Sequence, residues 1–330
     1  MQPESIPILG VALALASAAV LSVGNILQSR GVRAMTAGAV PKGVIAQFWQ
    51  LVRNRFWLIG GLLLGLSILF QLASLAFAPL MVVQPIGVTA LVFTVLITSI
   101  AAKQRPAAAV VRAITICVLG VASFVTVAAI VSTQHAITGR ELGAVLVVLA
   151  AVLLATAVIF LFSRKRTVPA IMWVVLGGVY SGFVVTLGKT VILRVQAILD
   201  SGMFAMDLAN ILTILCVVGI AVAGGLSIYF VQLAHATSRA EVVVAGLTVI
   251  DPAVAVIFSI TILAEASNAP PIAMVAFAVA GAVAVAGVFA LSRAEAEAPP
   301  SELEAGGAVA AAPADAAAPH EGGTPEAREA

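Results

Sequence analysis

Long uninterrupted apolar runs separated by short polar stretches dominate this sequence. A helix needs roughly 20 apolar residues to cross the hydrocarbon core of a bilayer. The runs are continuous, whereas the strands of a membrane barrel are short and alternate in polarity. We therefore predict an all-α polytopic membrane protein of about nine transmembrane segments. These segments are Ile6 to Leu27, Trp57 to Ala78, Leu80 to Ala101, Ala113 to Val131, Leu142 to Phe162, Ala170 to Leu193, Ile211 to Ala234, Val242 to Leu263 and Ile272 to Leu291.

Composition excludes an ordinary globular domain, because 62% of the residues are hydrophobic and only 10% are charged, against roughly a quarter charged in soluble domains. The basic residues lie at the ends of the apolar runs, where membrane orientation explains them, so nucleic-acid binding has no support. Cys117 and Cys216 lie inside apolar segments without CxxC spacing. We interpret both as small buried hydrophobic residues.

The C-terminal part of the chain differs from the rest. Residues 1–293 carry 16 Lys or Arg against 7 Asp or Glu, whereas residues 294–330 carry 1 against 8. The latter region is rich in Ala and Pro and has little apolar surface to bury. We predict a membrane bundle over residues 1–293 and a disordered acidic cytoplasmic tail over residues 294–330.

Two stretches of the chain resemble each other. Leu66 begins LSILFQLASLAFAPL and Leu226 begins LSIYFVQLAHATSRA. Alignment of Gln71-Leu72-Ala73 with Gln232-Leu233-Ala234 carries segments 1 to 4 onto segments 6 to 9, with segment 5 between them. Because one helix separates the copies, the second copy enters the membrane in the opposite sense. This predicts an inverted repeat, about residues 6–131 and 170–292, as in many secondary transporters.

The distribution of Lys and Arg predicts the orientation. One set of connections holds Arg30, Arg33, Lys42, Arg53, Arg55, Lys103, Arg105, Arg112, Arg164, Lys165, Arg166 and Arg239. The opposite set holds only the bases Arg140 and Arg194, with the acids Glu141, Asp200, Asp207 and Glu265. The positive-inside rule places the N-terminus outside and the C-terminus in the cytoplasm. We expect a multi-pass protein of a bacterial plasma membrane.

One connection contains a further apolar pattern. Residues 43–55, GVIAQFWQLVRNR, combine apolar side chains with a basic end. This pattern is typical of a helix that lies in the membrane interface. A solvated loop is the alternative.

Asp251 is the clearest candidate for chemistry. It lies near the middle of segment 8 and is followed by Pro252, which lacks a backbone donor and disfavours helical geometry at the preceding residue. A charge at the centre of a membrane helix costs about 2.5 to 3.5 kcal/mol, so such residues are usually functional. Asp251 could bind a proton or a metal cation. The alternative is a structural partner that closes a helix kink.

Lys189 is the second candidate, toward the outer end of segment 6. It could extend to the membrane surface, form a salt bridge with Asp251, or contact an anionic substrate. Further polar residues predicted to line a site, or to hydrogen-bond between helices, are Asn25, Gln71, Gln84, Tyr229, Gln232 and His235. We predict helix breaks at Pro85 and Pro252, whose freed backbone groups must face protein or a cavity.

The sequence gives no indication of an enzyme or a cofactor. It lacks GxSxG, HExxH and P-loop patterns, and its three histidines are scattered. A paired nucleophile and base brought together only in space would leave no such pattern.

Several motifs resemble the drug/metabolite transporter (DMT) superfamily, and within it the NIPA-type magnesium transporter group. They are GNILQSRG from Gly24 to Gly31, LASLAFAPLMVVQPIG from Leu72 to Gly87, YFVQLAHATSRAEVV from Tyr229 to Val243, and ILAE from Ile262 to Glu265. The resemblance spans about residues 6–292. It implies a polytopic transporter whose cavity is lined by segments 1, 3, 6 and 8 and their neighbours.

The chain departs from these families at three points. Segment 1 has no acid, a family Gly-Glu element is replaced by Ala102-Lys103, and Asp251 is not a general signature. A basic Lys189 also suits a Mg²⁺ cavity poorly, since Mg²⁺ favours oxygen ligands. We therefore expect a secondary transporter of a small polar solute, metabolite or cation, Mg²⁺ being one option. The alternatives are a flippase for lipid-linked substrates and a non-transporting membrane scaffold.

Overall fold

The computed structural model describes residues 7–36, 49, 52–134, 137–163, 169–201, 208–238 and 240–297. Over these residues the chain forms ten principal helices. They are α1 (Pro7–Thr36), α2 (Arg55–Phe77), α3 (Leu80–Gly87), α4 (Thr89–Ala102), α5 (Ala108–Val131), α6 (Gly139–Ser163), α7 (Ala170–Ser201), α8 (Leu208–Thr237), α9 (Ala240–Thr261) and α10 (Pro271–Glu297). With α3 and α4 counted as one span, nine apolar helices in this part of the chain are long enough to cross a bilayer. The protein is a multi-pass, all-α membrane protein.

The helices extend beyond the predicted apolar segments. Helix α1 continues past Leu27 to Thr36, α7 continues past Leu193 to Ser201, and α5 begins at Ala108 instead of Ala113. The prediction counted residues apolar enough for the hydrocarbon core, which is thinner than the whole bilayer with its headgroups. Helical hydrogen bonding continues into the polar interface, so the helices are longer than the runs that predicted them.

The third span is divided into two helices. Helix α3 contains Pro85 and ends at Gly87, and α4 begins at Thr89. The Val88 amide donates to the Pro85 carbonyl in a short turn between them. Pro252, in contrast, lies inside α9, which continues to Thr261.

Helices α1 and α2 form one antiparallel pair, α7 and α8 a second, and α5 and α10 a third. Glycines allow the close approach. A Cβ atom on Gly120 would lie 2.4 Å from the Ala284 backbone nitrogen, and one on Gly60 would lie 2.8 Å from the Gly24 carbonyl oxygen. Such contacts let helices associate in lipid, where there is no hydrophobic force between them.

Helix α3 lies between the two halves of the chain. It packs against α1 on one side and against α9 on the other. Leu80, Val83 and Ile86 belong to the largest buried cluster, which also contains Tyr180, Phe183 and Leu187 of α7. The helix that separates the predicted repeats, α6, packs on α7 and α8.

Two predictions fall largely outside the described residues. Only Trp49 and residues 52–55 of the predicted interfacial helix are described, and the Arg53 guanidinium lies 5.9 Å from the Trp49 ring centroid. Of the predicted acidic tail, residues 294–297 continue α10 and the remainder is outside the described part of the chain.

Candidate functional site

Helices α7 and α9 run side by side and touch closely near their middles. A Cβ atom on Gly178 would lie 2.7 Å from the Ile250 side chain, and one on Gly182 would lie 2.7 Å from that of Val254. The two glycines are one helical turn apart, so they form a shallow groove on α7. The groove brings Ser181, which lies between them in the sequence, against Asp251 on α9.

Asp251 is hydrogen-bonded through only one of its carboxylate oxygens. The Ser181 hydroxyl donates to Oδ2 at 2.7 Å. The other oxygen, Oδ1, is buried and has no hydrogen-bond partner among the described residues. A buried polar atom without a partner is rare in folded proteins and costs free energy. Asp251 therefore has an acceptor oxygen to offer to a ligand at mid-membrane depth.

Lys189 lies elsewhere in the bundle and is fully buried. Its ammonium group donates to the carbonyl oxygen of Leu75, to that of Ala78 at 2.8 Å and to Gln134 Oε1 at 3.2 Å. Pro79 has no N–H, so the Leu75 carbonyl at the end of α2 lacks its helical donor. Lys189 supplies that donor, and its three N–H groups are all used.

Glu265 completes the surroundings of the same turn from the other side. It lies just beyond α9, is almost fully buried, and accepts hydrogen bonds from the Leu80 amide at 2.9 Å, the Met81 amide at 3.0 Å and the Ser259 hydroxyl at 2.5 Å. Helix N-termini favour negative charge because their first amides are unpaired. Lys189 thus binds the carboxyl end of α2, and Glu265 binds the amino end of α3. We call Lys189, Gln134, Ser259 and Glu265, together with the residue 75–81 turn, the polar clamp.

The clamp and Asp251 are separate sites. Ser181 and Lys189 are eight residues apart on α7, and Asp251 and Ser259 are eight residues apart on α9, so both spacings correspond to about 12 Å along a helix. The structure accordingly pairs Lys189 with Leu75, Ala78 and Gln134 and pairs Asp251 with Ser181. Lys189 and Asp251 do not form the salt bridge considered from the sequence.

The other residues predicted for the site are distributed over the bundle. The side chains of Asn25, Tyr229, Gln232 and His235 are exposed and that of Gln71 is half-buried. Gln84 is buried on α3, and its Nε2 atom has no hydrogen-bond partner in the described part of the chain. Among the hydrogen bonds described, none joins these six side chains to Asp251 or Lys189.

Four candidate residues were not predicted from the sequence: Ser181, Ser259, Gln134 and Glu265. Serines are common in the apolar segments, so nothing in the sequence distinguished Ser181. Glu265 ends the ILAE motif, and its position after the apolar run predicts that it lies in a connection between spans. The signal that could have indicated its burial was the apolar and small composition of the neighbouring residues, ILAEAS.

The described residues contain no group of three His, Cys, Asp or Glu side chains that could hold a metal ion. No family model matches the chain, and comparisons with curated proteins and with solved structures also return no match.

Proposed function

We propose that this membrane protein is a secondary transporter of the DMT type, not an enzyme, and that it moves a small polar solute, metabolite or cation by alternating access. One observation carries the proposal: near the middle of a span, Asp251 Oδ1 is buried and has no hydrogen-bond partner within the described part of the chain. An acid at this depth is costly. A transported proton or cation that returns to the carboxylate in each cycle would explain why the residue is there.

The arrangement of the two halves supports alternating access. The Ser67 hydroxyl donates to the Ser17 carbonyl at 3.1 Å, and the Ser227 hydroxyl donates to the Gly177 carbonyl at 3.0 Å. The donor and the acceptor of the second hydrogen bond each lie 160 residues after those of the first. Left-handed residues also recur near the ends of α4 and α9, at Lys103 with φ 54° and Ala264 with φ 51°. Repeated contacts of this kind favour the interpretation that residues 6–131 and 170–292 are copies.

The sense of the copies favours inversion. The Ser74 hydroxyl donates to the Gly10 carbonyl at 2.7 Å, so the end of α2 lies beside the start of α1. Lys189 contacts the same end of α2 from the later part of α7. Helices α1 and α7, which begin the two halves, therefore run in opposite directions, as expected of an inverted repeat that rocks about a central site.

The chemistry of the Asp251 site favours a positively charged species. An ionised carboxylate only accepts hydrogen bonds, and Ser181 already uses its hydroxyl hydrogen on Oδ2. A proton or an ammonium-bearing solute matches the open oxygen. Mg²⁺ remains part of the proposal because it can keep several waters and bind through one carboxylate. We place the protein in a bacterial plasma membrane with its N-terminus outside.

The experiment is solute flux into proteoliposomes that contain a pH-sensitive dye, with Mg²⁺, other cations and a metabolite panel as solutes. Asp251→Asn is expected to abolish flux because the amide cannot take up a proton or balance a cation. Glu141→Gln is the matched control, since Glu141 is also an acid in a span but lies at the end of that span and accepts hydrogen bonds from nearby Thr138. Equal flux by wild type and Asp251→Asn would contradict the proposal that Asp251 binds the transported or coupling species. Folded wild type that moves none of these solutes would favour the flippase or scaffold alternatives.

A further inference from the structure

The polar clamp joins the two halves of the chain at one end of the bundle. The Lys189 and Glu265 hydrogen bonds cross from the second half to the turn between α2 and α3 in the first half. The Thr133 amide adds a bond to the Glu265 carbonyl at 2.9 Å, and Gln134 bonds to Lys189. All of these cross-half hydrogen bonds lie at the same end, which we call the Lys189 end.

The clamp holds a joint in the chain. Pro79 interrupts backbone hydrogen bonding between α2 and α3, and the turn at Val88 separates α3 from α4. Helix α3 is thus a short rigid element between two interruptions. Its first amides and the last carbonyls of α2 obtain their partners from Glu265 and Lys189, so the position of α3 depends on two side chains from the other half.

The free energy needed to open a contact between charged side chains differs from that needed to separate packed apolar surfaces. If the Lys189 end opens to water, Lys189 and Glu265 regain hydration, which offsets the hydrogen bonds that they lose. Separation of packed apolar surfaces has no such compensation, because the newly exposed area stays unfavourable in water. Three further polar atoms near the clamp, Ser132 Oγ, Thr133 Oγ1 and Gln134 Nε2, are buried, have no hydrogen-bond partner among the residues that the structure describes, and would gain hydrogen bonds on hydration.

We propose that the polar clamp is the gate at the Lys189 end, closed in this structure and opened by withdrawal of Lys189 and Glu265 from the α2–α3 turn. The inference rests on the proposed transport function. It assigns Lys189 and Glu265 to positioning of the gate instead of solute binding. Lys189 is unsuited to bind an anionic solute in the closed state, because its three donors are already used.

Thiol accessibility tests the gate without relying on flux. The native cysteines are replaced by alanine, and Ser132→Cys supplies a near-isosteric probe whose original hydroxyl made no hydrogen bond. Ala113→Cys supplies a buried probe on α5 near the opposite end. An impermeant maleimide then reports opening in Glu265→Gln, with Glu141→Gln as the control acid at the same end.

Glu265→Gln removes the charge and leaves an NH₂ group facing backbone donors. We expect it to raise the labelling rate of Ser132→Cys at least about tenfold, because charged hydrogen bonds of this kind hold the closed state. Labelling of Ala113→Cys should stay constant or fall. Lys189→Met is expected to act in the same direction, and a fall at Ala113→Cys would indicate that the two ends open alternately.

Two results would overturn the gate. One is equal labelling of Ser132→Cys in Glu265→Gln and Glu141→Gln. The other is a parallel rise at both probes, which would show general loosening of the fold. These outcomes are distinct from failure of the transport proposal, which is tested by the flux experiment with Asp251→Asn. If the clamp opens selectively but the wild-type protein shows no flux, the polar clamp is still a contact that can open and the transport proposal is wrong.

Discussion

At the scale of single residues, the proposed binding site is defined by the contact between Asp251 and Ser181. Ser181 is the only hydrogen-bond donor that the described residues direct at the carboxylate. Its hydroxyl fixes one oxygen and leaves the other available. A sequence shows that Asp251 lies in an apolar run, but it does not show the neighbour, because that depends on how α7 and α9 align across the Gly178–Gly182 groove.

Substitution of Ser181 tests this contact. Ser181→Ala removes the donor to Oδ2 and leaves both oxygens of a buried carboxylate unpaired. The affinity of the carboxylate for its cation or proton is therefore expected to change. We expect the half-saturating solute concentration to change about tenfold or more, since a hydrogen bond to a charged group is worth about 1.5–3 kcal/mol. Ser22→Ala is the control, because Ser22 bonds only to the Ala18 and Ala90 carbonyls. Concentration dependence of flux measures both, and equal values would show that Ser181 has no part in binding.

At the scale of helices, the hydrophobic pattern predicted the number and order of the spans but not their ends, and of the interruptions predicted at Pro85 and Pro252 the described residues show only the first. The split of the third span follows Pro85, whereas α9 continues through Pro252. A proline removes one hydrogen bond in either case. The neighbours of the two helices also differ: α9 is held against α7 at the glycine groove, and the amino end of α3 is held by the clamp. Both are long-range contacts that no local pattern contains.

The packing of α5 on α10 gives a prediction about stability. Gly120→Ala would place a methyl group 2.4 Å from the Ala284 backbone nitrogen, so the helices must move apart. Overpacking of this kind typically costs about 1–3 kcal/mol. Gly65→Ala is the matched control, because a Cβ atom there meets nothing within 4 Å. Thermal unfolding in detergent should show a lower midpoint for Gly120→Ala and an unchanged midpoint for Gly65→Ala. Equal midpoints for the two variants would mean that α5 and α10 can move apart without loss of stability.

At the scale of the molecule, the Asp251 site and the polar clamp differ in which halves of the chain supply their residues. The Asp251 site is built entirely within the second half, from α7 and α9. In the first half, α1 and α4 are joined without an acid, because the Ser22 hydroxyl donates to the Ala90 carbonyl on α4 at 2.7 Å. The clamp, by contrast, requires both halves. If the two halves are copies, as we propose, the acid of the proposed site belongs to only one of them.

Removal of the acidic tail distinguishes a transporter from a scaffold at this scale. Every residue assigned to the Asp251 site and to the clamp lies between residues 75 and 265, so a chain that ends at Glu297 keeps both. We expect this truncated protein to transport at about the wild-type rate, because it retains every side chain of the Asp251 site and of the clamp. Flux and Ser132→Cys labelling of the truncated chain measure the outcome. A scaffold that recruits partners through its tail would behave in the opposite way, with function lost on truncation and retained in Asp251→Asn. That pair of results would contradict the transporter proposal and support a membrane scaffold.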